Sequence, residues 1–167
     1  MMIAHPVTVV GVGNEFRRDD GAGPSVVARL RERVADGALP VGIRLVCCDG
    51  EPGRLIELWT DVALAVVVDA ARALPGHPGR IHRLESCANT VRQGGAASSH
   101  GLGVGAAVEL ARALDRMPGR LIVYAVEGAD GSPGTGLTPV VAASVGPLAE
   151  RIEEEIIQYI ARTQGES

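Results

Sequence analysis

Apolar positions change their spacing along this chain in a regular way. Val7 to Val12 is a continuous β-branched run that stops at Gly11-Val12-Gly13-Asn14, the pattern of a buried strand breaking into a loop. Pro24 suits the first turn of a helix, and Val26, Val27, Leu30 and Val34 follow at helical spacing up to the stop at Asp36-Gly37. The alternation then recurs. Ile43 to Cys48 reads as a strand, Leu55, Ile56 and Trp59 as a short helix, and Leu64 to Asp69 as a very apolar strand. A shorter strand is expected over Arg80 to Leu84, then a polar loop from Ser86 to Ser99, a helix from Gly101 to Leu114, a strand from Leu121 to Val126 and a second glycine-rich loop from Glu127 to Gly136. Thr138-Pro139 reads as a helix start in which the hydroxyl caps the first turn. The last helix carries Val141, Val145, Leu148, Ile152, Ile156 and Ile160 on one stripe, with Glu150, Glu153, Glu154 and Glu155 away from it.

Strands alternating with helices, the strands apolar throughout, predict an α/β protein: a three-layer α/β/α sandwich on a mostly parallel sheet. No repeat or linker divides the chain, so residues 1–167 read as one domain, frayed only at its tail, 163–167.

Composition narrows the chemistry. Of 167 residues, 46% are hydrophobic but only 2% aromatic, so the core is built from aliphatic side chains and base-stacking platforms are excluded. The net charge of −4, with 16 Lys and Arg scattered along the chain, lacks the basic footprint of a nucleic-acid binder. No apolar stretch has the roughly 20 residues of a membrane span, and the N-terminus lacks secretory-signal features, so we expect a cytoplasmic protein with no membrane partner. Cys47, Cys48 and Cys87 suit neither a disulfide framework nor a Cys-rich zinc site, and Cys47 and Cys48 on a strand point to opposite faces.

In open α/β sheets, ligands gather beyond the carboxyl ends of the strands, which singles out three places. The first is Gly13-Asn14-Glu15-Phe16-Arg17-Arg18-Asp19-Asp20-Gly21. Phe16 stands where a dinucleotide fingerprint needs a small residue, so the two carboxylates become the feature of interest; capping of the next helix, or neutralisation by Arg17 and Arg18, is the bland alternative. The second is Asp69, a charge closing a buried run. Arg72, a helix N-terminus or a metal ion could compensate it. The third is Ser98-Ser99-His100, where His100 could be either a ligand or a surface residue. Two carboxylates and an imidazole together would suit Ni²⁺, Zn²⁺ or Mn²⁺. His5, His77 and His82 are weaker candidates, and H-E-x-x-H and G-x-S-x-G are absent.

Four separated motifs, Gly11-Val12-Gly13-Asn14 with Asp19-Asp20-Gly21-Ala22-Gly23, Asp69 after an apolar strand, Ser99-His100-Gly101-Leu102-Gly103, and Gly136-Leu137-Thr138-Pro139, resemble in order and spacing the nickel–iron hydrogenase maturation endopeptidases. The resemblance implies a five-stranded sandwich, phosphorylase/hydrolase-like, with one antiparallel strand. It also implies a metal-binding and catalytic trio of Asp20, Asp69 and His100. The implied partner is the hydrogenase large-subunit precursor, whose C-terminal extension is cleaved once nickel has been inserted; the nickel is carried by the precursor, and another divalent metal could occupy the same site. A monomer is expected. Where the family often has Asp-Gly-Gly after the second strand, this chain has Asp49-Gly50-Glu51-Pro52-Gly53, a departure that bears on substrate choice; Glu15, Arg17 and Arg18 occupy a loop that is often more apolar and are expected to tune docking to one large subunit. The alternative is a nickel-sensing or chaperone-like binding module that does not cut.

Overall fold

A computed structural model describes residues 6–73, 75–87 and 102–166. Five strands, β1 (Val7–Val12), β2 (Arg44–Cys48), β3 (Leu64–Ala71), β4 (Ile81–Cys87) and β5 (Arg120–Glu127), form one sheet in the order β2-β1-β3-β5-β4. All pairings are parallel except that of β4 with β5. The sheet is therefore the mostly parallel five-stranded one with a single antiparallel strand, flanked by α1 (Ala22–Ala35), α2 (Pro52–Trp59), α3 (Leu102–Ala113) and α4 (Pro139–Gly165).

Alternation along the central strands sorts the core into two layers. Val7, Val9, Val66, Val68, Ile122 and Tyr124 face α1 and α4, meeting Leu30, Leu148, Ile152 and Ile156. Val10, Val12, Ala65, Val67 and Leu121 face α2 and α3, meeting Leu55, Trp59, Val104 and Ala107. With helices on both faces, β1 and β3 have no solvent-facing side, which is why they read as nearly continuous apolar runs, broken only by Thr8 and Asp69. Close packing of α1 requires Gly23, where a Cβ would lie 2.4 Å from the Val68 carbonyl oxygen.

Element ends differ from the sequence reading in instructive ways. β3 continues two residues beyond Asp69, which pairs with Ala125 while Ala71 pairs with Glu127; the carboxylate is inside the strand rather than closing it. Antiparallel pairing with β5 likewise carries β4 through Ser86 and Cys87, residues the pattern assigned to the loop, and residues 88–101 lie outside those described. At the other end, α4 stays helical through Gly165 where a frayed tail was expected at Thr163, whose hydroxyl bonds the Tyr159 and Ile160 carbonyls. Glu153 and Glu155 border the apolar stripe rather than facing away, because Arg33 holds the first and Arg83 and Tyr124 hold the second. Cys48 packs partly buried on the α2–α3 layer while Cys47 is exposed, as their alternation requires.

Candidate functional site

Strand order reverses between β1 and β3, since β1 is followed by β2 on one side and β3 lies on the other. The carboxyl ends of these two strands therefore flank the crevice in which such sheets bind ligands. The chain leaving β1 fills one side of it with the loop to Gly21, and β3 supplies Asp69 on the other.

That loop is tightly specified. Gly13 has φ +138°, and a Cβ on it would lie 1.9 Å from the Asp20 carbonyl oxygen, so only glycine permits the turn. Arg18 to Gly21 form a single 3-10 turn ahead of α1. Its two carboxylates have separate tasks, and neither caps α1. Asp19 is 2% exposed and accepts hydrogen bonds from the backbone N–H groups of Ala129 (2.8 Å), Asp130 (3.0 Å) and Thr138 (2.7 Å) and from the Thr138 hydroxyl. Burial acts to raise its carboxyl, but the bonds from Thr138, Ala129 and Asp130 outweigh that and hold it below the ordinary value. Thr138 does precede α4 as the N-cap residue, yet its hydroxyl is committed to Asp19 and makes no cap bond to the helix. Asp19 thus fastens the β1 loop to the β5–α4 loop, a role the motif alone does not reveal.

Asp20 is half-buried and points elsewhere, its Oδ2 accepting the Asn14 N–H at 2.8 Å. Asp69, only 7% exposed, receives one hydrogen bond from the described residues, that of the Ala70 N–H at 2.8 Å. Desolvation pushes its carboxyl up to about 7, the Ala70 N–H opposes this, and the charge of Asp20 adds to it. The two carboxylates are therefore within electrostatic reach of each other. Among the described residues, the arginines that the sequence offered as partners for these carboxylates are engaged elsewhere: Arg72, the one expected at Asp69, packs against Gly131 beside Asp130, Arg17 donates to the Gly131 carbonyl (3.3 Å), and Arg18 pairs with Asp130 (3.7 Å). Two carboxylates that repel each other, with few donors among the described residues, favour an added positive charge.

His100 lies outside the described residues, as does His5. α3 feeds β5, which begins beside the start of β3, so α3 runs down the sheet and Leu102 opens it on the carboxyl side, the side of Asp20 and Asp69. Among the described residues, no three His, Cys, Asp or Glu side chains converge as a metal site.

A second buried carboxylate went unnoticed in sequence although its signal matched that of Asp69, a charge closing an apolar strand. Glu127, 2% exposed, accepts the His77 N–H (3.0 Å) and lies 2.7 Å from Nε2 of His82. These bonds, the His77 one foremost, keep its carboxyl below the ordinary value, and they pin the turn between β3 and β4. In the loop after β2, Asp49 accepts the Glu51 N–H, and Glu51 caps α2 through Gly53 and Arg54, so this departure in sequence serves the start of a helix.

A family model described as "HycI: Hydrogenase maturation protease" matches residues 43–155. The structure is similar to the hydrogenase maturating endopeptidase HybD from E. coli, with TM-score 0.71 and 22% identity over 92% of this chain and 93% of that one. It is also similar to the NiFe hydrogenase maturation protease HycI from Thermococcus kodakarensis KOD1 (TM-score 0.63, 21% identity, 90% of this chain and 91% of that one). A third likeness is to HybD from Thermococcus kodakarensis (TM-score 0.65, 21% identity, 89% and 97%). No curated protein matches by sequence.

Proposed function

Because the chain belongs to the hydrogenase maturation protease family, we propose that it removes the C-terminal extension of a hydrogenase large-subunit precursor and does so only after nickel has been inserted. A peptidase of this kind acts on a protein substrate, and the nickel arrives as part of that substrate. In this reading Asp20, Asp69 and His100 contact the precursor's nickel, which holds the scissile peptide bond in place; a loaded precursor fits and an empty one does not. Another divalent metal could enter by the same donors.

One observation carries the reading: Asp69 is a nearly buried carboxylate with a single hydrogen bond among the described residues, and the charge from them that reaches it is a second carboxylate, Asp20. An arrangement so unfavourable for the isolated chain is relieved by a cation entering from outside it. The Asp19 clasp and Gly13 turn supply rigidity, holding the loop that carries Asp20.

Intact-mass analysis of nickel-loaded and nickel-free precursor, each incubated with the protein, tests this. Loss of a C-terminal peptide from the loaded form alone is expected. Equal trimming of both forms would remove the nickel checkpoint, and tight binding of the loaded form without trimming would make the protein a binding module.

A further inference from the structure

The two carboxylates of the crevice are tied alike. Asp20 receives the Asn14 N–H on Oδ2 (2.8 Å) and Asp69 the Ala70 N–H on Oδ1 (2.8 Å), and the described residues give no donor to Asp20 Oδ1 or Asp69 Oδ2. Asp19 differs, with hydrogen bonds on both of its oxygens. Each crevice acid therefore keeps one oxygen for a newcomer, and the tie on the other oxygen sets how the carboxylate is turned. For Asp69 that tie is local, coming from the next residue of a strand that stays paired through Ala71. For Asp20 it comes from six residues back along the loop, so the direction of this carboxylate depends on how Asn14 is held.

Asn14 is held by its own side chain. Its Oδ1 accepts the Phe16 N–H at 2.9 Å, and its carbonyl accepts the Arg17 N–H at 3.0 Å, the local bonds by which an asparagine closes a turn. A second turn follows directly, the Asp20 N–H donating to the Arg17 carbonyl (3.0 Å). The chain thus runs from the Asn14 amide through two hydrogen-bonded turns to the carboxylate which that amide holds. Gly134 bonds the Phe16 carbonyl (2.8 Å) and the Arg18 N–H (3.1 Å), fastening both turns to the loop after β5. Gly13 lies along the Asp20 side chain, where a Cβ would be 3.5 Å from Asp20 Cγ. Charge explains the residue type at position 14. Aspartate would close the same turn but add a third negative charge beside two carboxylates that already repel, serine closes it more weakly, and alanine has no acceptor to offer.

We propose that Asn14 is a positioning residue: its carboxamide fixes the turn, its main-chain N–H holds Asp20 by Oδ2, and Oδ1 is thereby presented to the nickel of the precursor. This rests on the nickel-contact part of the reading above and holds whether or not the bound precursor is cut. It also gives the stretch from Gly11 to Asn14 a task in the site. Glycine at position 13 lets the loop approach Asp20, and asparagine at position 14 aims the carboxylate.

Biolayer interferometry of the full-length protein with nickel-loaded and nickel-free precursor tests this. The wild type should prefer the loaded form. Asn14→Ala should reduce that preference roughly tenfold, the lower end of what outer-shell changes cost at metal sites, while binding of the nickel-free form stays as it was. Asn14→Ser keeps an acceptor for the Phe16 N–H and should recover most of the preference. In an Asp20→Ala background, where Asp69 still meets the nickel, Asn14→Ala should cost nothing further, because its effect passes through Asp20. A residue that served the fold alone would weaken both precursor forms together and would go on doing so without Asp20. An unchanged preference in Asn14→Ala, equal weakening of the two forms, or a serine variant no better than alanine would overturn the proposal. A wild type without any preference overturns the nickel reading and this proposal with it, whereas a preference that survives Asn14→Ala overturns the role of Asn14 alone.

Discussion

Asp19 and Asp69 are carboxylates at the same edge of the sheet with nearly the same burial, 2% and 7% exposed, yet their surroundings drive them in opposite directions. Asp19 sits among three backbone N–H groups and a hydroxyl, and its carboxyl lies below the ordinary value. Asp69 has, among the described residues, one N–H and the charge of a second carboxylate, and its carboxyl is pushed up to about 7. Burial alone therefore does not say how an acid is accommodated. The number of donors among the described residues does: a satisfied charge stabilises the fold, whereas an unsatisfied one costs stability, and in the reading proposed above that cost is met by something that arrives from outside.

The largest expected effect separates the two by activity. Asp20→Ala, Asp69→Ala and His100→Ala should each remove trimming of the nickel-loaded precursor. Outer-shell changes at metal sites already cost ~10–100-fold, so direct contacts should cost at least ~100-fold, with far-UV circular dichroism unchanged. Retained trimming in all three would end the assignment.

Asp19→Ala should break the comparison from the other side. It leaves the N–H groups of Ala129, Asp130 and Thr138 without their acceptor; a buried group left unpaired costs about 1–3 kcal/mol, and because Ala129 is exposed and Asp130 and Thr138 are half-buried, water takes the place of part of the loss, so a total of roughly 3 kcal/mol is expected by urea denaturation. Trimming, measured where the variant is still folded, should fall less than in Asp69→Ala. Full stability in this variant would show that the clasp is dispensable.

The pH dependence of the metal-free protein sharpens the contrast. Asp69 has a folded value of about 7 against 3.8 ordinarily, so the native state binds its proton more tightly than the unfolded chain does. Stability is then lost as pH rises from about 4 to about 7, at most ~4 kcal/mol for a shift of about three units, and levels off above that. Asp69→Asn does not titrate, so its advantage over the wild type should grow across this window and then stay constant. Asp19 has the opposite sign: its contribution is present above 3.8 and disappears as pH falls through its lower folded value. Chemical denaturation of both proteins between about pH 4 and 8 measures the difference, and an advantage that shrinks with rising pH would mean that Asp69 is compensated after all.

Much of this architecture was legible because it depends on periodicity. The apolar runs of β1 and β3 and the stripe from Val141 to Ile156 report burial on two faces and on one. The antiparallel course of β4 was not legible from its residues; only the family resemblance implied one antiparallel strand, because direction is set by pairing with β5. Asp69 could be flagged, since a charge in an apolar run needs an explanation, and Glu127 met the same test without being noticed. Which of Asp19 and Asp20 faces the crevice could not be read from an Asp-Asp pair, as the answer lies with donors more than a hundred residues away, in the loop from Ala129 to Thr138. Thr138 shows the same limit: its place before Pro139 marks the helix start correctly, but the hydroxyl's partner is chosen by tertiary contact.

Thr138→Val gives the smallest effect and the cleanest test of that last point. Valine keeps the shape and the backbone N–H to Asp19 while removing the hydroxyl, so Asp19 loses one donor out of its set. A hydrogen bond to a charged group contributes about 1.5–3 kcal/mol, and with the backbone donors remaining to share the charge we expect the low end of that range. If the hydroxyl instead served α4 as a cap, its loss would cost about 1 kcal/mol whatever stood at position 19. A double-mutant cycle with Asp19→Ala decides between the two. Coupling is expected, with Thr138→Val costing almost nothing once Asp19 is gone; additive losses would return the hydroxyl to the helix and leave Asp19 held by backbone alone.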